Sequence, residues 1–438
     1  MLYISCNKMN AKVLAVVFYF LLNLKSCVGV KYTNHSLITI HTETRSQLKY
    51  LHILENQKYM DIIFCQKPYK VTILFLLSHF RAFDNQDVSS YKLLQPDTFS
   101  FDHYHQLEDI NQWMIDLSQN KSVPIRHSSI GKSAEGRDIY MVNINLDSRF
   151  KPKKISFTLY SFKVVVEGGI HGQEWPAVVF VTYLIKELAQ AETSEDYEWK
   201  KLANTYDWYL IPVLNPDGYD YTHKQDRLWR KNRNQNASVD LNRNFDESFG
   251  KYGSSLEPSS DSYCGPYPFS EPETQALSFF ILPIRREVKY YFSIHAYGQR
   301  IIIPYEDRIQ HLENFGEMEN YSRQAIRKMY LRTHVKYSTG TVYDTMGIRM
   351  SGTSASWMKK QMKVKYAYTV QVRDNGTYGY ALPNDQLRPM CEETKLMIQE
   401  LMTAKPRYVR ALFGDDANIN GMFLPLMLFC VIVIVTLK

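Results

Sequence analysis

The segment GGIHGQEW has the residue types of a metal site. His171 and Glu174 lie three residues apart, between the apolar run FKVVVE, which predicts a strand, and PAVVFVTYLIKEL, which predicts a helix. This spacing lets an imidazole and a carboxylate converge on one ion where the helix begins. The pair is weak evidence by itself, because a surface histidine and a glutamate that serves the helix dipole have the same spacing.

A second histidine, His295, ends the apolar run YYFSIH and supplies a candidate third ligand. Two histidines and a glutamate would hold one zinc ion and leave the open fourth position that catalytic zinc needs for water. A single histidine at a strand end is more often structural, so the zinc hypothesis depends on the neighbouring motifs.

Two further motifs, DRLWRKNR and DLNRNFD, place Arg227, Arg230, Asn242 and Arg243 in segments that follow the predicted strand DWYLIPVLN. Arginine is the side chain suited to bidentate capture of a carboxylate. Several arginines near a zinc site therefore suggest a substrate with a free carboxylate. A solvated basic loop would explain either motif alone.

Elements that alternate along residues 99–412 must position these side chains. DIYMVNI, DWYLIPVLN, KYYFSIHAYG and KYAYTVQVRD predict strands, and YHQLEDINQWMIDLSQN, EPETQALSFFILPIRREV and a closing segment from Cys391 predict helices. The alternation predicts an α/β fold with a mixed, mostly parallel twisted sheet that helices cover on both faces. In such sheets ligands bind at the carboxyl ends of the strands, where His171 and His295 lie.

The ends of the chain carry processing signals. Residues 1–30 combine lysines, the apolar run VLAVVFYFLL and small residues, as in a cleavable secretory signal. Residues 31–98 predict a small α/β module, and residues 413–438 form an apolar tail that fits a glycolipid-anchor signal or a short membrane helix. We favour the anchor signal and expect an extracellular or cell-surface protein that contacts the membrane through this tail.

The composition is consistent with an extracellular or cell-surface protein and excludes few functions. The net charge of +7 is spread along 438 residues, and no nucleic-acid motif is present, so no nucleic-acid partner is expected. The cysteines are too few and scattered for a disulfide framework. Five glycosylation sequons suit a secreted glycoprotein. They begin at Asn34, Asn120, Asn236, Asn320 and Asn375. We expect a monomer.

Seven motifs in order carry a family resemblance. They are GIHGQEW, PVLNPDGY, DRLWRKNR, DLNRNFD, CGPYPFSEPET, SIHAYGQ and VRDNGTYGYALP. Over residues 104–408 the chain resembles the zinc metallocarboxypeptidases of the carboxypeptidase A/B group, and its layout is most similar to the carboxypeptidase O branch. The segment LITIHTETRSQLKYLHILEN also resembles the start of that family's activation propeptide, so residues 31–98 are interpreted as propeptide-like.

The resemblance implies a role for each candidate residue. His171, Glu174 and His295 would bind the zinc ion. Asn242 and Arg243 would hold the terminal carboxylate of a peptide or protein substrate. The resemblance also implies that Arg230 stabilises the oxyanion formed as water attacks the last peptide carbonyl, and that Arg227 lines the approach.

The base position departs from the family pattern. Gln371 stands where the family has the glutamate that takes a proton from the attacking water and passes it to the leaving amine. A carboxamide cannot accept that proton, and loss of a general base costs on the order of 10²–10⁴-fold in rate. Gln173 also stands where active members usually have an arginine.

The pocket for the terminal residue differs as well. Aligning TMGIRMSGTSASW from Trp357 places Ile348, or alternatively Gly347, where the family has a mobile tyrosine. The same alignment places Ala355 at the pocket floor, which implies an apolar terminal residue. Asn236 occupies the position of a cysteine that usually pairs with the one aligned to Cys264, so Cys264 is expected to be unpaired or irregularly paired.

These observations lead to two functional hypotheses. The first is a zinc metallocarboxypeptidase-family protein that acts on peptide C-termini with weak hydrolysis. The second is a catalytically inactive zinc-bearing module that binds C-terminal carboxylates. A structural protein without metal is disfavoured because all three candidate ligands remain.

Overall fold

The computed structural model describes residues 29–32, 35–41, 61–66, 70–76, 99–119, 124–146 and 162–404. Residues 1–28 of the predicted secretory signal (1–30), the apolar tail at 413–438 and the sequons at Asn34 and Asn120 lie outside these residues. Within the described part of the chain, no helix is both long enough and apolar enough to cross a membrane.

The first described segments form a four-stranded sheet. Its strands are β1 (Gly29–Tyr32), β2 (His35–His41), β3 (Asp61–Gln66) and β4 (Lys70–Leu76). They pair antiparallel in the order β1-β2-β4-β3. Strands β2 and β4 fall on the runs SLITIHT and VTILFLLSHF. The propeptide-like role of this module remains a prediction.

The larger sheet has eight strands within the described residues. They are β5 (Ile125–Lys132), β6 (Asp138–Ile144), β7 (Lys163–Glu167), β8 (Asp207–Ile211), β9 (Val288–His295), β10 (Arg300–Ile302), β11 (Ser338–Gly340) and β12 (Tyr366–Gln371). Their order is β11-β10-β12-β9-β7-β8-β6-β5. The pairs of β7 with β8 and β9, of β9 with β12 and of β10 with β11 are parallel, whereas the remaining pairs are antiparallel. This confirms the predicted mixed, mostly parallel sheet.

Nine helices are described in the same region. They are α1 (Leu107–Gln119), α2 (Trp175–Ala189), α3 (Tyr197–Thr205), α4 (Pro216–Lys224), α5 (Pro272–Ile284), α6 (Phe315–Thr333), α7 (Val342–Met346), α8 (Ser354–Lys360) and α9 (Asn384–Thr403). Short 3₁₀ turns lie at Ala191–Thr193 and Leu241–Arg243. The closing helix α9 begins before the predicted start at Cys391 and contains Pro389.

Alternation along β7 shows why helices cover both faces. Val164 and Val166 pack in one apolar cluster, with residues of α2, α6 and α9, whereas Val165 packs in a second cluster, with residues of α5 and α8. Successive side chains of a strand point to opposite faces, so an unbroken run of valines requires an apolar layer on each side. The two layers hold the strand ends that carry the candidate ligands.

Candidate functional site

A short loop connects β7 to α2 and carries the first two candidate ligands. Glu174 is the N-cap residue of α2, immediately before the first helical turn, and His171 precedes it in the loop. A Cβ atom at Gly172 would lie 2.5 Å from the backbone oxygen of Gly218, so only glycine allows the loop to pack this closely against α4. That contact fixes the loop that presents both ligands.

The three predicted metal ligands meet in the structure. Each offers one ligand atom, and these atoms lie within 4.8 Å of one another. His171 Nδ1 lies 2.7 Å from Glu174 Oε1, and His295 Nδ1 lies 2.8 Å from Glu174 Oε2. All three side chains are buried. The two Nδ1 atoms and the carboxylate therefore face one common point.

The second nitrogen of each ring has its own partner. His171 Nε2 lies 3.0 Å from Asp240 Oδ1, and His295 Nε2 lies 3.0 Å from Ser293 Oγ. Partners of this kind fix the tautomer and orientation of metal-binding histidines. Two imidazoles and one carboxylate form a donor set typical of catalytic zinc. The residues therefore fit one zinc ion, with Nδ1 of each histidine and the Glu174 carboxylate as ligands.

The electrostatics of the cluster keep its carboxylates ionised. Burial alone would raise the pKa of Glu174, but the charges and hydrogen bonds of His295 and His171 hold that pKa well below its usual value. Burial would likewise raise the pKa of Asp240, and Arg230, Arg243 and His171 lower it. Both carboxylates are therefore negatively charged over the physiological pH range.

Arg230 reaches the metal ligands through Asp240. Its Nε and Nη2 donate to Asp240 Oδ2 at 3.0 and 2.9 Å. The remaining terminal nitrogen, Nη1, lies 3.9 Å from Glu174 Oε1. This bidentate pair holds the guanidinium beside the zinc-binding residues, where Nη1 can donate to a carbonyl oxygen that approaches the metal position.

Asn242 and Arg243 lie in the 3₁₀ turn that follows Asp240. Asn242 Nδ2 lies 3.4 Å from His295 Nε2, and its Oδ1 accepts from the backbone N–H of Ser354. Arg243 donates through Nε to Gly253, through Nη1 to the Asn242 carbonyl and through Nη2 to the Met350 sulfur. Each terminal nitrogen therefore keeps a second N–H for a planar acceptor such as a carboxylate.

Arg227 is held differently from these two arginines. Its Nη1 donates to the Gln173 carbonyl at 2.8 Å and its Nη2 to the Tyr380 carbonyl at 2.6 Å. Its guanidinium also stacks on the Trp175 ring, and the side chain is only 1% exposed. The geometry ties together the segments that surround the metal ligands.

Gln371 ends β12 beside the metal ligands. It is the register partner of His295 on β9 and of Arg300 on β10. Arg300 Nη1 donates to Gln371 Oε1 at 2.9 Å. The amide oxygen of the Gln371 side chain therefore accepts one hydrogen bond from Arg300, a feature that the sequence motifs did not indicate.

The two predicted pocket residues lie in different surroundings. Ala355 is fully buried in α8 and packs in the second apolar cluster. Ile348 lies in the segment after α7 and is 46% exposed, and Tyr343 within α7 is 40% exposed. The structure thus brings the metal ligands, Asn242, Arg243 and Arg230 together, whereas Ile348 stands at the surface.

Sequence reasoning missed three charged groups of this region. Asp240 was detectable, because it stands two residues before Asn242 and caps the 3₁₀ turn through the Asn242 N–H. Glu306 accepts from Thr369 at 3.0 Å, and burial raises the pKa of its carboxyl despite the Arg243 charge. Arg300 gave no local signal, since its partner comes from an adjacent strand.

The cysteines agree with the expected loss of a disulfide. Cys264 and Cys391 are both buried and unpaired within the described residues. Burial raises the pKa of both thiols, as in inert structural cysteines.

Comparison with known proteins identifies the family. The family model for zinc carboxypeptidases matches residues 110–397. Carboxypeptidase O of Bos taurus is 34% identical over 70% of this chain and 80% of its own length. Human carboxypeptidase A6 is 33% identical over 69% of this chain and 68% of its own length, and a zinc carboxypeptidase of Simulium vittatum is 35% identical over 66% and 93%.

Solved structures show the same relationship. Bovine thrombin-activatable fibrinolysis inhibitor, in complex with a tick carboxypeptidase inhibitor, is similar with a TM-score of 0.60 and 30% identity over 69% of this chain and 97% of that one. A crystal structure of thrombin-activatable fibrinolysis inhibitor reaches 0.68 with 25% identity over 83% and 97%. From its fold, its cluster of metal ligands and these similarities, the chain belongs to the zinc carboxypeptidase family.

Proposed function

We propose that this protein binds the C-termini of peptides or proteins and hydrolyses the last peptide bond only weakly. The observation that carries the proposal is the carboxamide of Gln371 beside His295, in a site whose other residues suit a zinc carboxypeptidase. The proposal separates the two halves of the reaction. Substrate binding and carbonyl activation are retained, whereas proton transfer is impaired.

The binding half rests on Asn242, Arg243 and Arg230. The free N–H groups of Arg243 and the Nδ2 of Asn242 can donate to the two oxygens of a terminal carboxylate. Arg230, held by Asp240, can donate through Nη1 to the carbonyl oxygen of the last peptide bond. A peptide anchored at its carboxylate therefore has its last carbonyl beside the zinc-binding residues.

His171, Glu174 and His295 would hold a zinc ion, which when bound would supply a Lewis acid for this carbonyl and for water. Asp240 and Ser293 keep both histidine rings oriented toward the ion. The fold therefore retains the groups that stabilise negative charge during attack on the carbonyl.

Gln371 is expected to impair proton transfer, the second half of the reaction. A general base must accept a proton from the attacking water and return it to the leaving amine, and a neutral amide does neither at physiological pH. General acid–base catalysis contributes on the order of 10²–10⁴-fold to a rate, so hydrolysis is expected to be slower by a factor of this size.

A second candidate function is a catalytically inactive module that captures C-terminal carboxylates. The hydrogen bond from Arg300 to Gln371 favours it, because this bond holds the amide oxygen at the base position toward Arg300. Under this alternative the protein binds peptides without turnover, and the zinc ion that His171, Glu174 and His295 would hold would have a binding role only.

The remaining features extend the same proposal. We place the protein in the secretory pathway, with residues 1–30 as signal, residues 31–98 as propeptide-like module and residues 413–438 as membrane-directed tail. The buried Ala355 supports a neutral pocket for an apolar terminal residue. Ile348 supplies no hydroxyl at the expected tyrosine position, and Arg227 supports the pocket wall through backbone carbonyls.

The test is release of the terminal residue from a mixed set of peptides by the zinc-loaded protein. Gln371→Glu is assayed alone and with Arg300→Met, because Arg300 would pair with the introduced carboxylate. Slow or absent release by the natural protein and a rise toward 10²–10⁴-fold in the double variant support the proposal. Rapid release by the natural protein, unchanged in both variants, would show that Gln371 does not limit hydrolysis.

A further inference from the structure

Gly298, Arg300 and Gln371 form one arrangement that the family's chemistry does not require. A Cβ atom at position 298 would lie 2.3 Å from Arg300 Nη1 and 2.3 Å from Gln371 Oε1. Glycine therefore leaves the space in which these two side chains meet. Since Arg300 and Gln371 are also register partners across β10 and β12, their side chains project from the same face of the sheet.

The orientation of the Gln371 amide follows from its partner. Arginine has donors only, so the atom that receives its N–H must be the amide oxygen. The NH₂ group of Gln371 is then directed away from Arg300. Together the guanidinium and the NH₂ group present N–H donors, while the amide oxygen is held by Arg300.

The partner of Arg300 is an amide rather than a carboxylate. Within the described residues Arg300 is half-buried, donates to Gln371 and forms no ion pair. Arg230, in contrast, has Asp240 as a bidentate partner, and Arg137 has Asp217 and Asp220. A guanidinium without a carboxylate partner, beside an amide that donates, is suited to a planar anion.

The position of this pair relative to the metal ligands defines which anion can reach it. Asn242 contacts His295, Gln371 is the next register partner of His295, and Arg300 is the next partner of Gln371. A peptide whose terminal carboxylate lies at Asn242 therefore passes His295 before it reaches Gln371 and Arg300. The groups that arrive there belong to residues upstream of the terminal one.

From this geometry we propose that Arg300 and Gln371 form a carboxylate-binding site that takes an acidic side chain upstream of the terminal residue of the bound peptide. The inference rests on the proposed function, because it places the terminal carboxylate at Asn242 and Arg243. It also gives Gln371 a binding role, since a glutamate at this position would itself pair with Arg300 and occupy the site.

The experiment measures the binding of labelled peptides to the zinc-loaded protein by fluorescence anisotropy, with product release checked in the same samples. The peptides share an apolar terminal residue and carry either Glu or Gln at one of three upstream positions. Each is made with a free terminal carboxylate and with a terminal amide. The proteins are the natural chain, Arg300→Met, and Arg323→Met as a control, because Arg323 is an exposed arginine of α6 paired with Glu319.

The proposal predicts about tenfold tighter binding of the Glu peptide than of the Gln peptide at one upstream position, as expected of a charge-assisted hydrogen bond at a half-buried site. Arg300→Met removes this preference, and Arg323→Met keeps it. A preference that survives Arg300→Met, or equal binding of Glu and Gln peptides at every position, overturns the inference.

The amidated peptides separate this inference from the proposed function. If free-carboxylate peptides bind more tightly than amides but Glu and Gln peptides bind equally, only the further inference fails. If carboxylate and amide peptides bind equally, the proposed function fails. An Arg300-dependent preference for Glu within the amidated series would then still support the carboxylate site.

Discussion

Strands β9 and β12 end side by side in the sheet and differ in how their last residues are equipped. His295 ends β9 with a carboxylate on one ring nitrogen and a hydroxyl on the other. Gln371 ends β12 with a carboxamide whose oxygen accepts from Arg300. Under the proposed function, the metal-binding half of this site and its proton-transfer half can diverge separately, although the register partners His295 and Gln371 carry them.

The largest effect is expected where the metal-binding half is broken. His295→Ala removes a ligand and leaves the Glu174 carboxylate with one imidazole partner, so zinc affinity falls by more than the 10–100-fold typical of lost outer partners. Metal analysis after dialysis checks this. The control, His311→Ala, removes a half-exposed histidine and should keep stoichiometric zinc. Stoichiometric zinc in His295→Ala would refute the assigned ligand set.

The next largest effect is expected when Asp240 is replaced. Asp240→Asn removes the carboxylate that orients His171 and holds Arg230, so zinc affinity is expected to fall by about 10–100-fold. Competition with a chromogenic chelator measures the change. Ser293→Ala tests the corresponding partner of His295 and should have a smaller effect, because a neutral hydroxyl interacts more weakly than a carboxylate. Unaltered zinc affinity in Asp240→Asn would show that His171 needs no such support.

The pH dependence of kcat/KM tests the proposed proton-transfer role of position 371. A carboxylate introduced by Gln371→Glu must be deprotonated to act as a base, and the Arg300 guanidinium favours that charged form and lowers its pKa. Adding Arg300→Met raises the pKa, so the acid limb of kcat/KM is expected to move to higher pH by about one unit. Coincident profiles of the single and double variants would mean that Arg300 does not contact the introduced carboxylate.

A smaller effect is expected at Gly298, where the lack of a side chain leaves space for Arg300 and Gln371. Gly298→Ala places a Cβ atom against Arg300 and Gln371, and both side chains can swing away because they are flexible at their far ends. Because Gly298 also has φ +154°, a conformation that alanine rarely adopts, stability is expected to fall by about 1–3 kcal/mol, and most of the preference for acidic peptides is expected to be lost. Thermal unfolding and the peptide-binding assay measure the two quantities. Gly316→Ala is the control, since a Cβ atom there meets no neighbour.

The sequence motifs predicted the metal-binding residues better than the surroundings of Gln371. His171, Glu174 and His295 were identifiable because each stands at a strand end or helix start within a recognisable motif, and the alternation of elements predicted the sheet. Arg300 was not identifiable, because its pairing depends on the antiparallel register of β10 with β12. Such a register depends on tertiary packing and leaves no spacing pattern along the chain.

Arg227 illustrates a related limit of prediction from the sequence alone. Its motif indicated an arginine that lines the approach to the metal ligands, and the structure adds that the guanidinium stacks on Trp175 and donates to two backbone carbonyls. Whether an arginine faces a ligand or a carbonyl depends on the loops around it. Residue type and spacing alone therefore do not distinguish a binding arginine from a structural one.

The most direct test of the separation between the two halves is calorimetric titration of the zinc-loaded protein with a peptide that has a free terminal carboxylate, with product release followed in the same sample. We expect the peptide with a free terminal carboxylate to bind at least about tenfold more tightly than its terminal amide, with zinc bound and little product released. Fast turnover by the natural protein, or equal binding of the carboxylate and the amide, would contradict it.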